Sequence, residues 1–186
     1  MPPMAVLPIV RLGDPVLRAV AEPVHESRFS TRDLKRFVDD MVATMRAAQG
    51  VGLAAPQVGR SLRLFVYESK NAEPPIPLTV AVNPTVTPLG EDLEEGWEGC
   101  LSIPDLRGLV PRARAIKLSA TDVEGLPFEV EATDFEARVI QHEFDHLNGI
   151  VYLDRMADLS SLGFSTELDA AEEEAEAAEP PLETRP

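Results

Sequence analysis

TDFEARVIQHEFDHLNG, residues 133–149, holds the pattern His142-Glu143-Phe144-Asp145-His146. On a helix, residues four apart lie one turn apart on the same face. His142 and His146 can then aim two imidazoles at one metal ion, with Glu143 beside them. The helix has independent support. Thr133 with Glu136 three residues on is a capping-box pattern. Asp134 and Glu136 suit the positive end of the helix dipole, and Gly149 is placed to end the helix in a left-handed conformation. Phe135, Val139, His142 and His146 fall along one side, so an apolar stripe leads into the two histidines. The competing reading is an acidic helix that carries two histidines by chance. The chain has only three histidines, and two stand at ligand spacing with Glu143 between them, which favours the metal.

The remainder of the chain predicts an α+β fold, with mainly antiparallel short strands packed around this central metal-binding helix at about residues 133–148. A second helix is expected at about 31–48. Ser30 with Asp33 can cap it, and Leu34, Phe37, Val38, Met41, Val42 and Met45 make an apolar stripe that reads as core. Strands are expected at Leu62–Tyr67 and at Leu78–Val82, the latter stopped by Asn83-Pro84, with a further short one at Thr85–Thr87. Ala113–Ala120 alternates as a half-buried strand does, and Asp122–Gly125 turns it into a hairpin partner at Phe128–Glu131. Residues 71–77 are too proline-rich for regular structure. Pro15 begins a brief helical turn. His25 lacks a ligand-spaced neighbour and reads as a surface histidine.

At 186 residues the chain is most simply one domain. The formal net charge of −15 argues against direct binding to nucleic acid. Residues 166–186 hold eight acids and one base, so this tail carries −7 and residues 1–165 the other −8. Residues 1–165 are therefore expected to form the catalytic domain, and 166–186 a solvated, disordered acidic tail too poor in apolar residues to dock. One cysteine, Cys100, cannot make an internal disulfide. The N-terminus lacks the pattern of a signal peptide and no apolar run approaches transmembrane length, so a cytoplasmic protein with no membrane partner is expected.

Two histidines leave a metal with open positions, and a catalytic site needs a third protein ligand plus water. Cys100, in Glu98-Gly99-Cys100-Leu101-Ser102, is the candidate; the bland alternative is a buried structural thiol. A site of one thiolate and two imidazoles suits iron(II), zinc, nickel or cobalt. A third stretch, GVGLAAPQ at 50–57, has small residues that let another backbone approach. It ends in Gln57, whose amide N–H can serve a developing oxyanion.

Taken together these stretches are specific, and the sequence resembles peptide deformylase. That family carries GxGLAAxQ, EGCLS and QHExDH in this order; here they read GVGLAAPQ at 50–57, EGCLS at 98–102 and QHEFDH at 141–146. The resemblance runs from about Val10 to Met156. It departs only at the proline-rich loop and the acidic tail, outside the motifs.

The resemblance implies that Cys100, His142 and His146 hold one divalent metal, iron(II) in the cell. Glu143 would be the general base and then the acid, while Gln57 and the backbone N–H of Leu101 would stabilise the oxyanion. The substrate would be the N-formylmethionyl end of a nascent peptide, with formate as product, and the ribosome a partner. For substrate binding, Val51, Phe135 and Val139 are candidates for an apolar methionine pocket. The backbones of Val51, Gly52 and Gly99 can pair with an extended peptide, and Arg107 can meet it further along. A monomer is expected. Arg138 can form an ion pair or point to water, and Asp145 can orient a ligand from behind.

Two rivals remain. A zinc peptidase of the His-Glu-x-x-His type would need a third ligand after the helix, such as Asp154 or Glu167. A structural metal site in a binding module would need more cysteines than the single one present.

Overall fold

The computed structural model describes residues 4–178. The elements, in order, are α1 (Arg32–Ala47), β1 (Gly52–Ala54), β2 (Leu64–Ser69), β3 (Ile76–Pro88), β4 (Leu93–Cys100), β5 (Ile103–Ala113), β6 (Ala115–Thr121), β7 (Pro127–Thr133), α2 (Asp134–His146), β8 (Gly163–Phe164) and α3 (Ser165–Ala178), with short 3-10 turns between. One sheet has the order β1-β2-β3-β6-β7 and another β4-β5-β8. All their pairings are antiparallel. This is the α+β class that the sequence predicts.

The five-stranded sheet is apolar on both faces, which explains why β2 lacks alternation. Phe65 and Tyr67 join Ala137, Val139, Ile140 and Leu147 of the α2 region in one core. Leu64 and Val66 join Leu34, Val38, Met41 and Met45 of α1 in another. Successive residues of a strand point to opposite faces, so β2 serves both helices. A smaller cluster of Ile103, Val110, Val151 and Tyr152 fills the space beside β5.

Several local expectations are corrected. Thr31, not Ser30, caps α1, its hydroxyl accepting from Leu34 N at 3.3 Å. Thr133 stands at the N-cap of α2 but its side chain makes no capping bond. Asp134 turns to positive φ (53°) and pairs with Arg114, while Glu136 accepts from Tyr67 Oη at 3.3 Å, so the capping box never closes. Asn83-Pro84 does not stop a strand. β3 runs through it with a register shift, because the Asn83 amide bonds the backbone of Val24 in both directions and satisfies what the ladder loses there. Gly149 adopts the expected left-handed φ of 71°. A Cβ there would also stand 2.6 Å from Arg18 O.

The acidic tail differs most from expectation. Residues 165–178 form α3, and Leu168 lies against Gly163 at the end of the three-stranded sheet. The last eight residues of the tail, 179–186, lie outside the described residues.

Candidate active site

Each of the three sequence stretches ends at one place. α2 presents His142, Glu143 and His146, which are 9%, 4% and 1% exposed. β4 ends at Cys100, where a register shift against β5 after Gly99 breaks the ladder. Cys100 Sγ then lies 3.3 Å from His146 Nε2. One ligand atom from each of Cys100, His142 and His146 can be chosen so that all lie within 4.8 Å of one another.

Gln57 sits in the 3-10 turn Ala55–Val58 after β1. Its Oε1 accepts from Ala54 N at 2.9 Å. That anchor leaves Nε2 pointing at Cys100 Sγ (3.5 Å) and Ser102 Oγ (3.4 Å). β1 itself presses on Glu143: a Cβ on Gly52 would stand 2.3 Å from Glu143 Oε1. Only glycine leaves room there for that carboxylate.

Behind the histidines lies a buried charge network. His142 Nδ1 meets Glu98 Oε2 at 2.9 Å. Glu98 accepts both Nε and Nη2 of Arg112, at 2.8 and 2.9 Å, and Nη1 of Arg138 at 3.0 Å. Arg112 also donates to Asp145 at 2.5 Å, which is held from outside by Arg155. Arg138 thus forms an ion pair and adds bonds to Val110 O and Glu94 O, both at 2.7 Å. The Tyr152 ring stacks near His142, centroids 6.2 Å apart, and its hydroxyl donates to Leu106 O at 3.1 Å.

Glu98 and Glu143 are both buried carboxylates, with opposite outcomes. Burial pushes the Glu98 carboxyl up, but hydrogen bonds from Arg112 and His142 outweigh it and hold it at about 2. At Glu143 burial dominates and raises the carboxyl to about 7. Burial drives His146 well below its ordinary value, keeping the imidazole neutral. Burial lowers His142 also, but the Cys100 and Glu98 acceptors outweigh it and carry it well above.

The donor set fits a divalent cation. It comprises one thiol and two imidazoles, a borderline-soft combination. The ionised Glu98 holds a proton on His142 Nδ1, so a cation bound at Nε2 would displace only the Nε2 proton. Glu143 Oε2, buried beside the donor set, has no hydrogen-bond partner, as expected where a ligand or solvent completes the site; His146 Nδ1, the ring nitrogen turned away from Cys100, is also unpartnered.

A cavity of about 500 Å³ opens onto these groups. Gln57, Leu101, Val51, Gly52, Gly99, Phe135 and Val139 all line it, as does Glu143. Arg107 does not. It is held by Asp169 and lies 3.9 Å from Glu172, both on α3. Asp154, the rival third ligand, is spent on Arg18 and Val151 N. Sequence reasoning gave no role to Glu98 or Arg112. A charged residue inside the EGCLS motif, and an arginine on the inward face of an alternating strand, were the available signals.

Fold and site together define a metal-dependent hydrolase. The family profile for polypeptide deformylase matches residues 6–161. Peptide deformylase 1 of Bordetella pertussis is 48% identical over 162 residues, covering 84% of this chain and 91% of that protein. Among solved structures, the Met-Ala-Ser-bound class I type b peptide deformylase of Acinetobacter baumannii superposes with a TM-score of 0.79 at 37% identity, covering 83% of this chain and all of that one. The peptide deformylase of Thermotoga maritima gives 0.75 at 38% identity, covering 82% and 99%. This chain belongs to the polypeptide deformylase family.

Proposed function

We propose that this chain hydrolyses the formyl group from the N-terminal formylmethionine of nascent peptides, releasing formate and a free amine. Cys100, His142 and His146 are assigned as the metal ligands. The bound ion would supply Lewis-acid activation of water at neutral pH and of the formyl carbonyl. We assign iron(II) as the cellular metal, with zinc, nickel and cobalt as substitutes that the same donor set accepts.

The remaining chemistry falls to side chains and backbone. Glu143 takes a proton from the attacking water and later delivers it to the departing amine nitrogen. A carboxyl raised to about 7 is suited to both duties. Gln57 Nε2, aimed by the anchor at its Oε1, and the Leu101 N–H donate to the oxygen that gains charge at the tetrahedral stage. The peptide adds as an extended strand along the backbones of Val51, Gly52 and Gly99. Its methionine side chain enters the apolar part of the cavity beside Val51, Phe135 and Val139, and Arg107 stands further along the peptide's course.

Residues 1–165 form the catalytic domain in this reading. We further propose a cytoplasmic monomer that meets its substrates at the ribosome without gripping RNA itself. No helix among the described residues is long and apolar enough to cross a membrane.

The observation that carries the reading is the convergence of Cys100, His142 and His146 beside the unpartnered Glu143 Oε2, within a chain of this family. Anaerobic purification, elemental analysis and a formate-release assay on formyl-Met peptides test it. The expected result is about one divalent ion per chain and formate formed in step with free amine, with a capped, unformylated peptide left intact. Cleavage of the capped peptide, or no formate from the metal-loaded chain, would overturn it.

A further inference from the structure

We infer that the first turns of α3 set the charge preference of the cavity for the part of the peptide beyond its methionine, through their hold on Arg107. The inference rests on the deformylase reading above.

Arg107 lies on β5, directly opposite Gly99 of β4. Opposed residues of an antiparallel pair share a face, and Gly99 offers no side chain to cover its partner. The guanidinium instead lies over the ring of Trp97, 5.5 Å from its centre. Trp97, Gly99 and Leu106 line the cavity, and so does Ser165, the first residue of α3. Arg107 therefore stands at the cavity's rim, flanked by lining residues from three elements.

α3 is fastened at this rim. β8 pairs Gly163 and Phe164 with Arg107 and Leu106, and Leu168 lies so close to Gly163 that a Cβ there would stand 3.0 Å from Leu168 Cγ. This seating brings Asp169 onto the Arg107 guanidinium and Glu172 to 3.9 Å from it. The other cation at the cavity, Arg138, is consumed by Glu98 and three backbone carbonyls. Arg107 is thus the cation that a downstream peptide carboxylate would meet, and α3 already occupies it. A peptide with Asp or Glu past its methionine must displace Asp169 and face Glu172. A peptide with Lys or Arg there is drawn to the same acids. A neutral peptide is indifferent.

The test uses the full-length, metal-loaded chain and three formyl-Met peptides that differ only in carrying Glu, Ser or Lys downstream. Formate-release kcat/KM is compared between the native chain and the Asp169→Asn/Glu172→Gln double variant, at low and high salt. Neutralisation should raise kcat/KM for the Glu peptide about two- to fivefold, the range expected of a solvent-screened pair. It should lower kcat/KM for the Lys peptide by a similar factor and leave the Ser peptide unchanged. High salt should shrink both changes. Asp169→Glu, which keeps the charge, should keep the native ratios. A Glu-to-Ser ratio unmoved by the double variant, or a parallel change for all three peptides, would overturn the inference while leaving the activity in place. No formate from the Ser peptide with the native chain would overturn both.

Discussion

Glu98 and Glu143 are one residue type driven in opposite directions by their surroundings. Against burial, hydrogen bonds from Arg112 and His142 hold Glu98 ionised, at about 2, and Arg138 adds a third bond, so Glu98 can orient His142. Burial lifts Glu143 to about 7, so it can exchange a proton near neutral pH. Such divergence between neighbouring carboxylates is what separates an acid–base group from a structural one. Glu143→Ala should keep its metal and lose at least about 100-fold in kcat, the usual worth of a general base; elemental analysis beside formate-release kinetics reads both, and retained turnover would refute the assignment. Glu98→Gln keeps an acceptor for His142 Nδ1 but not the charge that holds Arg112 and Arg138. Metal affinity should fall about 10-fold or more, measured by titration against a competing chelator. Of these two proposed roles, only that of Glu143 was legible in the sequence. His-Glu-x-x-His spacing is a local signal. The Glu98–Arg112 pair joins residues of two strands, and nothing in either stretch alone announces its partner.

Helices were easier to read than strands, for a physical reason. The stripes of α1 and α2 repeat every three to four residues because each helix buries one face, and sixteen- and thirteen-residue elements give that period room to show. β2 buries both faces and so hides its period. β4, LEEGWEGC, has two glycines and little apolar content; it is a strand because β5 pairs with it along its length, not because of local preference. The link from α1 to β2 supplies a pH test. Arg46 grips both oxygens of Glu68, at 2.6 and 2.8 Å, and that grip pulls the Glu68 carboxyl below its ordinary 4.5. A lowered carboxyl contributes stability that is complete above its unfolded value and lost as pH falls through the lowered one. Glu68→Gln should therefore cost no more than about 1 kcal/mol at neutral pH, as a screened pair does, and the gap from the native chain should close as pH falls below 4.5. Urea midpoints across that range check it; a gap that widens in acid would contradict the sign.

The molecule as a whole gathers its candidate site from three stretches far apart in sequence, around one helix between two sheets. That assembly was legible because each stretch carries a compact motif. The position of the acidic tail was not, since low apolar content argues against docking and one leucine with two ion pairs is too little to see in composition. Its seating on β5 still buries little, so removal of residues 167–186 should leave kcat and KM for neutral formyl-Met peptides unchanged within about twofold, the span of a surface change of about 0.5 kcal/mol or less. A large fall in kcat on truncation would show that the catalytic domain extends past residue 165. The proposed metal centre answers to X-ray absorption on the zinc-loaded chain. Ligation by Cys100, His142 and His146 predicts one sulfur at about 2.3 Å and two imidazole nitrogens at about 2.0–2.1 Å, with the sulfur lost in Cys100→Ser. A shell without sulfur in the native chain, or one unchanged by that substitution, would contradict it.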